Sequence, residues 1–249
     1  MPTFLMSART DIGRSRRRNE DCVLASTIRN FAVLAVADGM GGVHGGEVGS
    51  RTAIDSLYAD LSSSGDHSTS LDLLREAFAH SVDALRERAK ENNDLSEMGT
   101  TLTCIVLTED RVSYAHLGDS RGYLFRDGRL RKLTTDHNRA QELLDEGRIS
   151  LSDATTHPSR NVLTRWVSAD IATVDPEVGA FKPESNDVYL LCTDGLHTLI
   201  PETEIEESLQ DLKLEQAALD RLTATLIDRA NQRGGTDNIS IVVAACGPG

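Results

Sequence analysis

The chain has 249 residues and a formal net charge of −13 at pH 7, an acidity that argues against non-specific binding along a nucleic-acid backbone. No apolar stretch is long enough for a membrane span or a signal-peptide core. Cys22, Cys104, Cys192 and Cys246 show no CxxC spacing, which disfavours a zinc cluster and fits reduced, buried thiols in the cytoplasm. With no internal repeat and no linker, residues 1–249 are expected to form a single domain.

An arginine run, Arg14 to Arg18, precedes acidic residues and a short strand. Val33 to Ala37 then form a strand-like apolar run, and apolar spacing predicts a helix from Glu47 to Leu61. A polar, Ser-rich connector from Ser62 to Ser70 leads to a second long amphipathic helix marked by Leu71, Leu74, Phe78, Val82 and Leu85. Strands are predicted at Thr101–Leu107, Val112–Leu117, Gly122–Phe125 and Leu130–Leu133, with Asp127-Gly128 as a hairpin turn. A mixed polar segment from Asp136 to Asp170 holds a short helix, Ala140 to Glu146, and a polar loop around His157-Pro158. A strand at Val188–Cys192, helices at Glu202–Gln210 and Glu215–Arg233, and a last strand at Ile239–Ala245 complete the order. Strand meanders with helices in pairs predict an α+β fold with antiparallel sheets rather than a βαβ repeat.

Four of the apolar runs carry an aspartate at one end: Asp38, Asp119 and Asp194 follow their strands, and Asp237 precedes its own. A single Asp-Gly after a strand is ordinarily a turn, because Asp tolerates the left-handed region and Gly favours it. Four carboxylates on rigid strand ends could converge, and oxygen ligands of that kind suit a hard divalent cation. An acidic protein acting on an anionic substrate needs such a cation and a local arginine. On spacing alone Arg14, Arg16, Arg17 and Arg18 are equal candidates for a bidentate phosphate contact. Cys192 lies in an apolar strand and reads as core, and no CxxxxxR loop offers a cysteine nucleophile.

Taken in order, RRRNED, ADGMGG, MGTTLT, HLGDSR, LTTDH, HPSRNVLTR, LCTDGL and GTDNIS resemble the type 2C family of metal-dependent serine/threonine protein phosphatases, in its compact bacterial branch. The resemblance spans roughly Thr10 to Ala245. It implies a central β-sandwich of two antiparallel sheets flanked by helix pairs, with metals at one edge and a flap at about residues 138–170. By motif, Asp38 resembles the carboxylate bridging two core ions, with the Gly39 carbonyl on the second ion. Asp194 and Asp237 resemble further ligands of the first. Glu20 and Asp21 match an acidic pair that orients waters around the second ion, and Asn238 matches a residue supporting the site. Asp119 resembles a ligand of a weaker third ion, shared with Asp194, and Arg16 matches the arginine that grips substrate phosphate.

The implied activity is hydrolysis of phosphoserine and phosphothreonine in proteins, with Mn²⁺ or Mg²⁺, by in-line attack of water activated between the two ions. The expected partners are phosphoproteins and a cognate serine/threonine kinase, and the expected state is a monomer. Two other readings are a phosphatase dedicated to one regulatory substrate and a phosphoprotein-binding pseudophosphatase, although every expected acidic position is filled. Met40 stands where some relatives carry histidine, and Val43-His44 differs from the histidine often found after the second glycine, so a metal-bound water is the leading candidate for the leaving-group acid and His44 a speculative one. His157 and Arg160 are weak candidates for contact with a protein substrate.

Overall fold

A computed structural model describes residues 4–41, 45–64 and 70–246. Two antiparallel sheets stack face to face. The first has the order β1 (Phe4–Asp11), β12 (Ile239–Cys246), β11 (Val188–Cys192), β7 (Arg121–Arg126), β8 (Arg129–Lys132). The second runs β10 (Glu177–Phe181), β6 (Val112–Leu117), β5 (Leu102–Leu107), β3 (Phe31–Met40), β4 (Gly99–Thr100), β9 (Val167–Ser168), with β2 (Asp21–Ile28) paired to β3. Helices α1 (Gly45–Ser63) and α2 (Leu71–Glu91) belong to the second sheet's outer face. On the first sheet's outer side lie α5 (Asp194–His197), α6 (Glu202–Leu209) and α7 (Gln216–Gln232).

This layering explains why the central strands are almost wholly apolar. Along β3, Ala32, Leu34 and Val36 face Leu124, Tyr189, Leu191 and Val242 between the sheets. The alternate residues Val33, Ala35 and Ala37 pack on Leu57, Leu61, Phe78 and Leu85 of the helices. Leu190, Cys192, Ile241 and Val243 do the same toward Leu219, Leu222 and Leu226. A strand buried on both faces loses the polar alternation of a half-exposed one. Each fully buried Leu or Val contributes about 1.5–3 kcal/mol of transfer free energy.

The Asp127-Gly128 hairpin forms as the sequence predicts, with φ of 52° and 72°, the doubly left-handed turn that matches strand twist. At the edge of the sandwich far from the Asp38 end, Arg126 grips the fully buried Asp187 with two hydrogen bonds of 2.7 Å, and the Tyr189 hydroxyl donates to the same carboxylate at 2.8 Å. This buried charge is therefore paired and hydrogen-bonded, as burial requires.

Two strands, β1 and β10, lack a strong signal in the sequence. Both are edge strands, and their residues are mostly half-exposed. The segment between β8 and β9 folds into α3 (Arg139–Asp145), α4 (Leu151–Thr156) and a 3₁₀ turn at Pro158–Asn161. Ser150 and Asp153 form a capping box on α4.

Candidate active site

Antiparallel pairing brings the ends of some strands beside the starts of their neighbours. Asp38 lies near the end of β3 and opposes Asp21 at the start of β2. Asp194 follows β11, Asp237 precedes the neighbouring β12, and Asp119 sits in the turn between β6 and β7. Asp38, Asp119, Asp194 and Asp237 thus line one cleft of roughly 480 Å³, together with Arg16, Glu20 and Gly39.

Asp38 and Asp119 are held through their backbone, and Asp237 through its side chain. The Asp38 N–H donates to Thr101 Oγ1 at 2.9 Å, and its carbonyl accepts from the Thr101 N–H and the Thr100 hydroxyl, both at 2.9 Å. The MGTTLT motif therefore shapes a strand start that fixes Asp38. Gly118 takes φ 111° just before Asp119, a region an L side chain rarely adopts. The Asp119 carbonyl accepts from His197 Nε2 at 3.0 Å, which ties the β6–β7 turn to the helix that begins at Asp194. Asp237 Oδ1 accepts the Asn238 N–H at 2.8 Å, and Oδ2 accepts from Arg16 at 2.7 Å.

Asn238 organises the loop that carries Arg16 and Glu20. Its Oδ1 accepts the Glu20 N–H at 2.8 Å, and its Nδ2 donates to the carbonyls of Ile12 at 3.0 Å and Arg18 at 2.9 Å. Asn238 is itself buried. Asn238→Ala would strand three backbone partners and is expected to cost about 2–4 kcal/mol. Urea unfolding should show a lower midpoint at unchanged slope; an unmoved midpoint would show that the loop holds without this side chain.

Glu20 lines the cleft, whereas Asp21, its neighbour along the chain, lies behind it. Asp21 Oδ2 accepts from Thr193 at 2.8 Å and from Ser240 at 2.6 Å. Of the four arginines, Arg16 alone is among the described lining residues; its side chain is 49% exposed and pairs with Asp237 at 27%. His44 lies outside the described residues.

So many carboxylates in little water cannot all ionise freely. Burial, then Asp21, Asp194, Asp119 and Asp237, raises the Asp38 carboxyl well above the usual range. Burial and Asp237 push Asp194 up to about 6. Burial, with Asp194 and Asp136, pushes Asp119 up to about 8. Asp21 rises to about 7, mainly by burial, although its bonds from Ser240 and Thr193 oppose the shift. Burial also raises Glu20. Asp194 Oδ1 and Asp21 Oδ1 are buried without a hydrogen-bond partner. Orphaned carboxylate oxygens beside mutually repelling carboxylates fit a hard divalent cation, which would satisfy the oxygens and cancel the repulsion.

A separate group, His116, His137 and Glu177, brings its ligand atoms within 4.8 Å of one another. Both ring nitrogens of His116 are engaged, by Thr103 and the Thr135 carbonyl, and Arg165 lies 2.9 Å from His137 Nε2. A guanidinium at that nitrogen opposes a cation. The cluster instead fastens the base of the 138–166 segment to the sheet, with the two imidazoles stacked at 4.7 Å.

The cleft's other wall, Met40, Asn161, Leu163 and Trp166, does not follow from the carboxylate pattern. Its only sequence signal is Trp166, the single tryptophan of the chain. His157 and Arg160 do not line the cleft. His157 Nδ1 caps the 3₁₀ turn by accepting the Ser159 N–H, and Arg160 bonds the Thr155 carbonyl and Asn161.

The family model described as protein phosphatase 2C matches residues 12–241. The serine/threonine protein phosphatase PstP of Mycobacterium tuberculosis is 38% identical over 240 residues, covering 96% of this chain but 44% of the relative. The chain thus spans less than half the length of that relative. The serine/threonine phosphatase stp of Listeria monocytogenes is 36% identical, covering 94% of this chain and 93% of the relative. Among solved structures, the catalytic domain of PstP in complex with two manganese ions superposes with a TM-score of 0.86 at 35% identity and covers 100% of both chains.

Proposed function

The chain belongs to the protein phosphatase 2C family, and from that premise we propose that it is a metal-dependent protein phosphatase hydrolysing phosphoserine and phosphothreonine. The observation that carries this reading is the convergence of Asp38, Asp119, Asp194 and Asp237 with Arg16 in one cleft. Asp38 and the Gly39 carbonyl, with Asp194 and Asp237, are assigned to hold two core cations. Asp119 and Asp194 are assigned a weaker third. Divalent cations held there neutralise phosphoryl charge and acidify water. The manganese in the PstP structure supports Mn²⁺, and the all-oxygen donor set also admits Mg²⁺.

The residues' own contributions follow from geometry. Arg16 uses one terminal nitrogen on Asp237, which orients the planar guanidinium at the cleft mouth and leaves its other donors for a phosphate. Glu20, in the cleft, and Asp21, bonded to Thr193 and Ser240 behind it, would orient water around the second cation, and Asn238 fixes the loop that presents Arg16 and Glu20. A phosphoprotein-binding role without turnover would have no use for so costly a gathering of carboxylates. We assign it phosphoproteins and a cognate serine/threonine kinase as partners. Among the described residues no helix is long and apolar enough to cross a membrane. The buried free thiols of Cys22, Cys104 and Cys192 support a reducing compartment, the cytoplasm.

Phosphate release from a phosphothreonine peptide tests the proposal. Release is expected with Mn²⁺ and is expected to drop by at least about 10²-fold when excess chelator removes the metal. Release that survives the chelator would overturn the metal-dependent assignment.

A further inference from the structure

The cleft has two chemically different walls. Arg16, Glu20, Asp237 and the other carboxylates form one, and Met40, Leu163 and Trp166 form an apolar other. A phosphoryl group needs only the first. Large apolar side chains left partly exposed inside a polar cleft are characteristic of a recognition surface rather than of a core.

The apolar wall is built rigidly onto the strand that carries Asp38. Gly39 and Met40 pair with Thr100 and Gly99, and these pair in turn with Val167 and Ser168. Trp166 is the residue immediately before that last strand, so two hydrogen-bonded rungs connect it to Asp38. Its indole packs directly on Gly99, where an added Cβ would come within 3.0 Å of Trp166 Cδ1 and 3.2 Å of Nε1. Any side chain at position 99 would push the ring away; glycine there seats it. Leu163 is anchored too, by a bridge to Asn138 and by the adjacent Thr164 N–H donating to the His137 carbonyl at 2.9 Å. A preformed wall loses little freedom when it binds.

We propose that Trp166, with Leu163 and Met40, is a specificity-determining surface that receives an aliphatic or aromatic side chain adjacent to the phosphorylated residue. This inference rests on the phosphatase reading. Once a phosphate lies against Arg16 and the carboxylates, the continuity of the cleft places the neighbouring residue of the same peptide at the Trp166 wall. Burying an apolar side chain there favours it over a polar one.

The experiment compares kcat/KM with Mn²⁺ for two phosphothreonine peptides that differ only in having Leu or Ser on both sides of the phosphothreonine. Wild-type protein is expected to favour the Leu peptide by about 10-fold or more. In Trp166→Ala the ratio is expected to fall to within about 3-fold of unity, and in Trp166→Phe the preference should persist. A ratio has no sensitivity to the fraction of folded enzyme, so a merely structural role for Trp166 would lower both rates and leave it in place. Equal rates on the two peptides by the wild-type protein, or a ratio that survives Trp166→Ala, would overturn the inference while leaving the phosphatase reading standing. Release from neither peptide with Mn²⁺ would overturn both together.

Discussion

Asp38→Asn is expected to abolish metal-dependent phosphate release, by about 10³-fold or more, while making the metal-free protein more stable. The two effects share one cause. Asp38 lies among Asp21, Asp194, Asp119 and Asp237, and its carboxyl is raised well above the usual range by burial and by those neighbours. Its charge is therefore unfavourable to the empty fold and useful only when a cation is present. Asparagine keeps the shape, and the backbone bonds from Asp38 to Thr100 and Thr101 do not involve the side chain. The new amide can also donate to the Asp194 carboxylate, which shares the cleft with it. Three measurements separate the outcomes: phosphate release, Mn²⁺ binding by calorimetry, and thermal unfolding in chelator. Near-wild-type turnover would sink the assignment of Asp38. Loss of activity together with a lower melting temperature would mean that Asp38 is chiefly structural.

The fold and half of the site were legible for a common reason. Strands buried on both faces, such as β3, β11 and β12, write themselves as continuous apolar runs, and the aspartates at their ends stand out against that background. The same reasoning fails at β1 and β10, whose edge positions leave too few buried residues to set a period. It also fails wherever a role depends on partners far away in sequence. Nothing in the spacing of Thr100 and Thr101 announces that they hold Asp38, and nothing in Asn238 announces that it pins the carbonyls of Ile12 and Arg18, more than 200 residues earlier. Glu20 and Asp21 look alike in sequence, yet one lines the cleft while the other is bonded to Thr193 and Ser240 behind it. Trp166 belongs to the same class: its place at the cleft depends on Gly99, across a strand pair.

The metal-free protein is expected to lose stability as pH rises from 7 to 8, and saturating Mn²⁺ is expected to reverse that trend. Asp21 and Asp119 have native pKa values pushed up to about 7 and about 8, whereas an unfolded aspartate titrates near 3.9. Between those limits the native state holds protons that the unfolded state has released. The unfolded state thus binds fewer protons, and stability falls with rising pH. The stabilisation is complete below the unfolded pKa and is lost as pH climbs through the native values. Asp194, pushed up to about 6, has given up most of its proton before this window opens. His116 and His197, lowered to about 3, and His137, lowered to about 4, work in the opposite sense. Their unfolded forms take up protons below about 6.5, so they reduce stability in acid. At pH 7 about a quarter of the unfolded imidazoles still hold a proton, which offsets part of the carboxylate effect, and by pH 8 about a quarter of the unfolded thiols have ionised while the buried native thiols have not, which adds to it. Over most of the window the carboxylates remain the largest contribution and set the sign of the trend. One net proton over one pH unit is at most about 1.4 kcal/mol, or roughly 3–6 °C in melting temperature for a chain of this size. A cation binds the deprotonated carboxylates in competition with those protons, so its stabilisation grows as pH rises. Thermal scans at pH 7, 7.5 and 8, with chelator and with Mn²⁺, test both halves. A metal-free melting temperature that is flat or rising across this range would show that the gathered carboxylates do not strain the fold, and the physical case for a cation in the cleft would fall with it.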